Sequence, residues 1–186
     1  PSYSSGYSLV FNSNGTVTVH KVLSRINTGS QFPVTTALNG GTNTSLKALS
    51  GGTDYASGIC TKSNCSGCGS NGRCLQYTKT IPSEGMVIYA TNNLWVEGTV
   101  KGRVIIATAN GATDVWSMPN IYIPNNIRYS DATQGANGDT GPTGPNVDTI
   151  GLLAQGNIIV TKNAPNNTYI DGALLSQNGF VAFPIC

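Results

Sequence analysis

The sequence predicts an all-β chain whose C-terminal half winds into coils stacked along an axis. Three observations lead there. From residue 86 to 183 the chain is a run of short segments in which side chains alternate inward and outward, the period of half-buried strands. A Gly or Asn punctuates almost every break between them, as tight turns require. Each segment is four to nine residues long, which suits strands and is short for helices.

The N-terminal region, residues 1–80, opens with YSLVF (7–11) and TVTVHKVL (16–23). The turn Asn12-Ser13-Asn14-Gly15 joins them, and Asn-Gly between alternating apolar residues is a strong hairpin signal. Residues 27–58 are rich in Gly, Thr, Ser and Asn and define no apolar face; SLKALS (45–50) fits one helical turn or a short strand. The segment SGICTKSNCSGCGSNGRCLQ has almost no core-forming residue, so cross-links must supply its order.

Residues 81–186 carry the strand series: MVIYA (86–90), NLWVEGTV (93–100), RVIIATA (103–109), NIYI (120–123), IGLLAQ (150–155), NIIVTK (157–162), TYIDGALLS (168–176) and GFVAFP (179–184). A loop from Asp131 to Asp148 interrupts it. Its glycines 135, 138, 141 and 144 keep a Gly-X-Y period for four units, too few for a collagen helix, and predict an extended polyproline-like excursion. There is no fixed-length repeat, yet NLWVEG, NIYIPN and NIIVTK share a pattern: Asn, alternating apolar residues, then a turn.

Of the 186 residues only 10% are charged and 23 are Gly, a composition typical of extracellular β-rich proteins. A net charge of +2 supplies no chain-wide basic field for nucleic acid or acidic lipid. No run of 18 apolar residues and no signal-peptide pattern occurs, so the chain as given is expected to be soluble, without membrane contact. A first residue of Pro fits a processed or truncated product. Of five cysteines, Cys60, Cys65, Cys68 and Cys74 crowd one segment and Cys186 stands last. In this composition they predict an oxidising compartment and two local disulfides. Cys186 is then left for another chain, for a partner beyond a truncation point, or as a free thiol. Cys65-Ser-Gly-Cys68 with Cys60 and Cys74 is the competing zinc set.

The ordered strands VIYATNNLWVEGTVKGRVIIATA, NIYIPNNIRYSD, IGLLAQGNIIVTKNAP and YIDGALLSQNGFVAFP resemble a domain of unknown function in PilX-like, pilus-associated bacterial proteins. The similarity covers about residues 82–183. It rests on the Val96-Glu97-Gly98 turn, the strands from Gly102 to Ala107 and from Asn120 to Ile123, Asp131, the stretch from Gly151 to Asn157, and the coil from Ile170 to Leu174. The cysteine cluster and the Gly-Pro loop depart from that pattern. The resemblance implies a right-handed β-helix, or β-solenoid, of the kind carried by large minor pilins, with other pilus or filament subunits as partners. Some such proteins serve DNA-uptake pili, where the solenoid is a candidate receptor for DNA or a surface. They begin with a hydrophobic helix, which this chain lacks as given, so either the helix was removed or the module works outside a pilus.

Glycan cleavage on such a scaffold needs carboxylates converging from neighbouring coils, and the spacing of the eight acids predicts no such cluster. Glu97 and Asp171 are placed at turns, where a carboxylate accepts backbone N–H bonds. Asp131, Asp139 and Asp148 are weak candidates for a shared Ca²⁺, though their spacing matches no calcium loop, and no cofactor is implied. His20, the single histidine, reads as an ordinary strand residue. Lys101, Arg103, Arg128 and Lys162 fall at or beside turns and, with aromatics such as Trp95 and Tyr122, are the candidate residues for a DNA- or glycan-binding groove. The plainer reading is that these aromatics pad the coils. Sequons at Asn14, Asn43, Asn64 and Asn166 arise readily by chance in so Asn-rich a chain. The leading expectation is a non-enzymatic extracellular structural or adhesive module of a pilus or surface filament. DNA or glycan binding comes second and a polysaccharide-degrading enzyme third.

Overall fold

The computed structural model describes residues 6–22, 75–135, 138–142, 148–161 and 164–183. Among them the fold is all-β, in mixed sheets and without helix, as the alternation predicted. The five cysteines Cys60, Cys65, Cys68, Cys74 and Cys186, SLKALS and Lys162 lie outside the described residues.

The hairpin is β1 (Gly6–Asn12) and β2 (Thr16–Val22), antiparallel and in register from Gly6 opposite Val22 to Asn12 opposite Thr16. Gly15 donates its N–H to the Asn12 carbonyl, closing the turn that Asn14-Gly15 announced. A third strand, β3 (Leu75–Thr80), pairs antiparallel with β2. Alternation in LQYTKT is too weak to signal it, and side chains 77–80 are all exposed. The hairpin does not stand apart: β1 runs parallel to β5 (Asn93–Val100) from Gly6 opposite Asn93 to Phe11 opposite Gly98, so one sheet crosses residue 80.

From residue 86 the chain visits two sheets alternately. In the first, β4 (Met86–Ala90), β6 (Arg103–Thr108), β11 (Thr149–Ala154) and β13 (Ala173–Ser176) lie side by side, all parallel. In the second, β5 is followed by β7 (Ile121–Ile123), β12 (Ile158–Val160) and β14 (Val181–Ala182), again parallel. The second half of β5 pairs instead with β8 (Ile127–Tyr129), and Ile127 bridges to Ile170 one level further on. Parallel partners need crossovers, and here every crossover is a visit to the other sheet.

Registration aligns like with like. Ile88, Ile106, Leu152 and Leu174 form one row across the first sheet, and Leu94, Ile121, Ile158 and Val181 form another across the second. The members of these rows that point between the sheets join Leu9, Phe11, Val17 and Val19 of the hairpin in one core. Each fully buried Ile or Leu contributes about 1.5–3 kcal/mol relative to leaving it in water.

Two expectations need correction. The Gly-Pro segment is not wholly a polyproline-like excursion: β9 (Ala132–Gly135) and β10 (Gly138–Pro142) pair antiparallel, with an irregularity between Asp139 and Pro142. Glycine at every third position leaves enough other residues to form a short ladder once its two arms are antiparallel. The Val96-Glu97-Gly98 turn is also no break, since it lies inside β5 with Glu97 buried.

Gly98 bends β5 without ending it. Its φ of +110° suits only glycine, and its N–H reaches the Asn126 carbonyl at 2.8 Å, where the chain passes from β7 to β8. A Cβ there would lie 2.2 Å from the Phe11 carbonyl oxygen. Gly98→Ala should therefore cost at least about 3 kcal/mol of unfolding free energy in denaturant titration. Gly111→Ala, at φ +74° with nothing within 4 Å of the added Cβ, should cost only about 1–2 kcal/mol.

Candidate functional site

The most organised polar feature is a ladder of asparagines at the corner leading into the second sheet. Asn93 opens β5, and Asn120 and Asn157 immediately precede β7 and β12, all three at the same register. The Asn120 N–H donates to Asn93 Oδ1 at 2.8 Å, Asn157 N–H to Asn120 Oδ1 at 2.6 Å, and Phe180 N–H to Asn157 Oδ1 at 3.1 Å. The main chain repeats the step: Leu94 N–H bonds the Asn120 carbonyl, Ile121 the Asn157 carbonyl and Ile158 the Phe180 carbonyl. Asn120 Nδ2 also reaches the Tyr122 hydroxyl. The shared Asn-apolar pattern of NLWVEG, NIYIPN and NIIVTK is this ladder. A further signal went unread, the glycine just before the corner. A Cβ on Gly156 would sit 2.6 Å from Asn120 Oδ1, and one on Gly179 2.3 Å from Asn157 Oδ1.

Two of the candidate acids, Asp148 and Asp171, are engaged in corner bonds. Asp148, buried, takes the Gly102 N–H on Oδ1 at 2.6 Å and both the hydroxyl and N–H of Ser130 on Oδ2 at 2.7 and 3.2 Å. It thus ties together the chain leaving β5, the chain leaving β8 and the entry to β11. Asp171 accepts the Tyr129 N–H at 3.0 Å, the backbone-bonding role expected of it. Glu97 was expected to share that role at a turn but lies within a strand. A second carboxamide step links Asn126 Oδ1 to the Tyr169 N–H at 2.9 Å.

Of the calcium candidates Asp131, Asp139 and Asp148, only the first and last have side chains among the described residues. No group of three His, Cys, Asp or Glu has metal-holding geometry there. Asp139 falls in β10 and the side chain of Asp148 is committed to main-chain donors. The two carboxylate oxygens of Asp131 are buried and have no hydrogen-bond partner.

The candidate binding groove divides. Trp95 and Tyr122 are fully buried and stack on each other, ring centroids 5.1 Å apart, so neither offers a face to a base or a sugar. Their strands are covered on both faces, which sequence alternation alone could not reveal. Lys101 and Arg103 are exposed on either side of the Gly102 corner, with Arg103 Nη2 donating to the Ser83 carbonyl. Arg128 lies on β8 opposite Thr99, its guanidinium 4.6 Å from the centre of the Tyr169 ring. His20 is buried in β2, next to Ser8 across the hairpin.

The fold perturbs the ionisation of Tyr129. Burial pushes its pKa above 10.0, and Asp171, Asp131 and Asp148 add to the rise, against a backbone hydrogen bond at Ile150. Because the folded state holds the phenol proton more tightly, this stabilisation is complete below pH 10 and is lost as the pH rises through the folded pKa.

Two measurements follow from this geometry. Asn120→Ala orphans the Asn157 N–H and removes the rung's middle carboxamide, and should lower unfolding free energy by about 1–3 kcal/mol in urea. Stability against pH should fall above about pH 10, and Tyr129→Phe should flatten that decline.

Comparison with known proteins returns no matching family model, no matching curated protein and no matching solved structure.

Proposed function

We propose that this chain is a non-enzymatic, extracellular structural or adhesive module, built as a right-handed β-solenoid like those of PilX-like, pilus-associated surface proteins. The observation that carries this reading is the asparagine ladder joined to alternating parallel strands. A side-chain ladder that repeats at successive corners builds a scaffold, and its carboxamide oxygens are consumed in holding the levels together. Asp148 and Asp171, which a glycan-cleaving site would need free, are bonded to main-chain N–H groups. Few charges and many hydrogen-bonded small polar corners suit a surface exposed outside the cell.

Exposed Lys101 and Arg103 favour a second reading, in which the corner between β5 and β6 meets the phosphates of DNA or the acidic groups of a glycan. The burial of Trp95 and Tyr122 removes the stacking platform that reading had invoked.

Immunogold electron microscopy of thin-sectioned producing cells, with antibody raised against the chain, should label filaments or the cell surface. Labelling confined to the cell interior overturns the proposal. Surface labelling together with salt-sensitive retention of the chain on immobilised DNA shifts the conclusion to the second reading.

A further inference from the structure

We infer that the last level, β13 with β14, is an interface through which two copies of this chain pair tail to tail, β13 lying antiparallel to its counterpart. The inference stands on strand order and edge chemistry and does not depend on the surface-filament reading.

Among the described residues the first sheet ends at β13, and the second at β14. The Gln177 N–H donates to the Ala154 carbonyl, so the alternation of a parallel ladder turns the backbone groups of Leu175 toward β11. Those of Leu174 and Ser176 then face the open edge. Edge strands are ordinarily guarded by charge, proline or a bulge. Residues 172–183 contain no charged residue and no proline. Leu175, Phe180 and Phe183 are 59%, 53% and 60% exposed, and Leu174 is only half-buried against the core.

The opposite end differs. There β1 already occupies the edge of β5, and the outermost strand β3 carries an exposed Lys79. The three strands β1, β2 and β3 extend that sheet about 14 Å past β5, at about 4.8 Å per strand. A second copy's bare end cannot stack head to tail onto β4 without striking them. The corner chemistry agrees: the ladder position after Asn157 is Phe180, which has no carboxamide to receive a further parallel level. What fits the bare end is another bare end, related by a two-fold axis and paired antiparallel. Two uncharged edges meet there without repulsion. Four residues of strand and a small apolar end fall below the about 800 Å² per partner of a standard interface, so association should depend on concentration.

Analytical ultracentrifugation of the full chain under reducing conditions should show a monomer–dimer equilibrium based on 19.3 kDa. Ser176→Pro takes away an edge N–H that β11 does not use, and Leu175→Lys places a charge on the edge strand. Each should weaken association at least about tenfold, as charge and proline do at natural edges. Val87→Lys, on β4 at the far side of the same sheet, should leave it unchanged, with circular dichroism and thermal melts showing all three variants folded. A chain that stays monomeric at every concentration, a dimer indifferent to Ser176→Pro and Leu175→Lys, or oligomers growing without limit would each overturn the pairing. So would a dimer that Val87→Lys alone abolishes, since that places the contact on the outer face of the sheet.

Discussion

The carboxamides of Asn93, Asn120 and Asn157 set the height of each strand above the last, and the rest of the molecule depends on that spacing. Each one accepts the N–H of the next corner, and the main-chain carbonyls of Asn120 and Asn157 accept from the strand before. Parallel pairing by itself leaves strands free to slip by two residues without turning a side chain to the wrong face. A polar side chain that finds its partner in only one register removes that freedom. Ile106 therefore lies against Leu152, and Ile121 against Ile158, and the core fills from aligned rows.

The remaining corners obey the same economy by other means. Asp148 gathers three backbone and hydroxyl donors, Asp171 receives the Tyr129 N–H, and Gly98 lets β5 bend while still pairing on both sides. Gln155 takes the Asn110 N–H and donates to the Ala112 carbonyl, steadying the long connection between β6 and β7. Buried polar groups in such a stack are costly unless bonded, so each corner residue that satisfies its neighbour also specifies the path of the chain. Two carboxylates that could have done chemistry, Asp148 and Asp171, are held instead by the backbone.

The two sheets differ in what their outer faces meet. Trp95, Tyr122 and Ile159 on the second sheet are buried, whereas Val87, Tyr89, Ile105, Leu153 and Leu175 on the first are exposed. Both faces of the second sheet thus contribute apolar burial, and the first keeps one face toward water.

Much of this was legible in the residues. Alternating apolar positions and Gly or Asn breaks placed β4 and β5 to the residue, and Asn14-Gly15 located the hairpin turn, because both signals are local. The repeated Asn before an apolar pair was visible as a pattern, and Asp171 was recognisable as a backbone-bonding carboxylate. What the residues could not show was which segments become neighbours. β3 and β8 carry too little alternation to be seen, β9 and β10 hide in a glycine period, and whether Trp95 pads the coils or faces a ligand turns on its strand being covered on both faces. The chain alone thus determined where the strongly alternating strands lie, through local preference and hydrophobic period. Only the tertiary structure decided that the hairpin lies on β5, that the asparagines stack, and that the binding aromatics are interior, because pairing and burial join residues far apart in sequence.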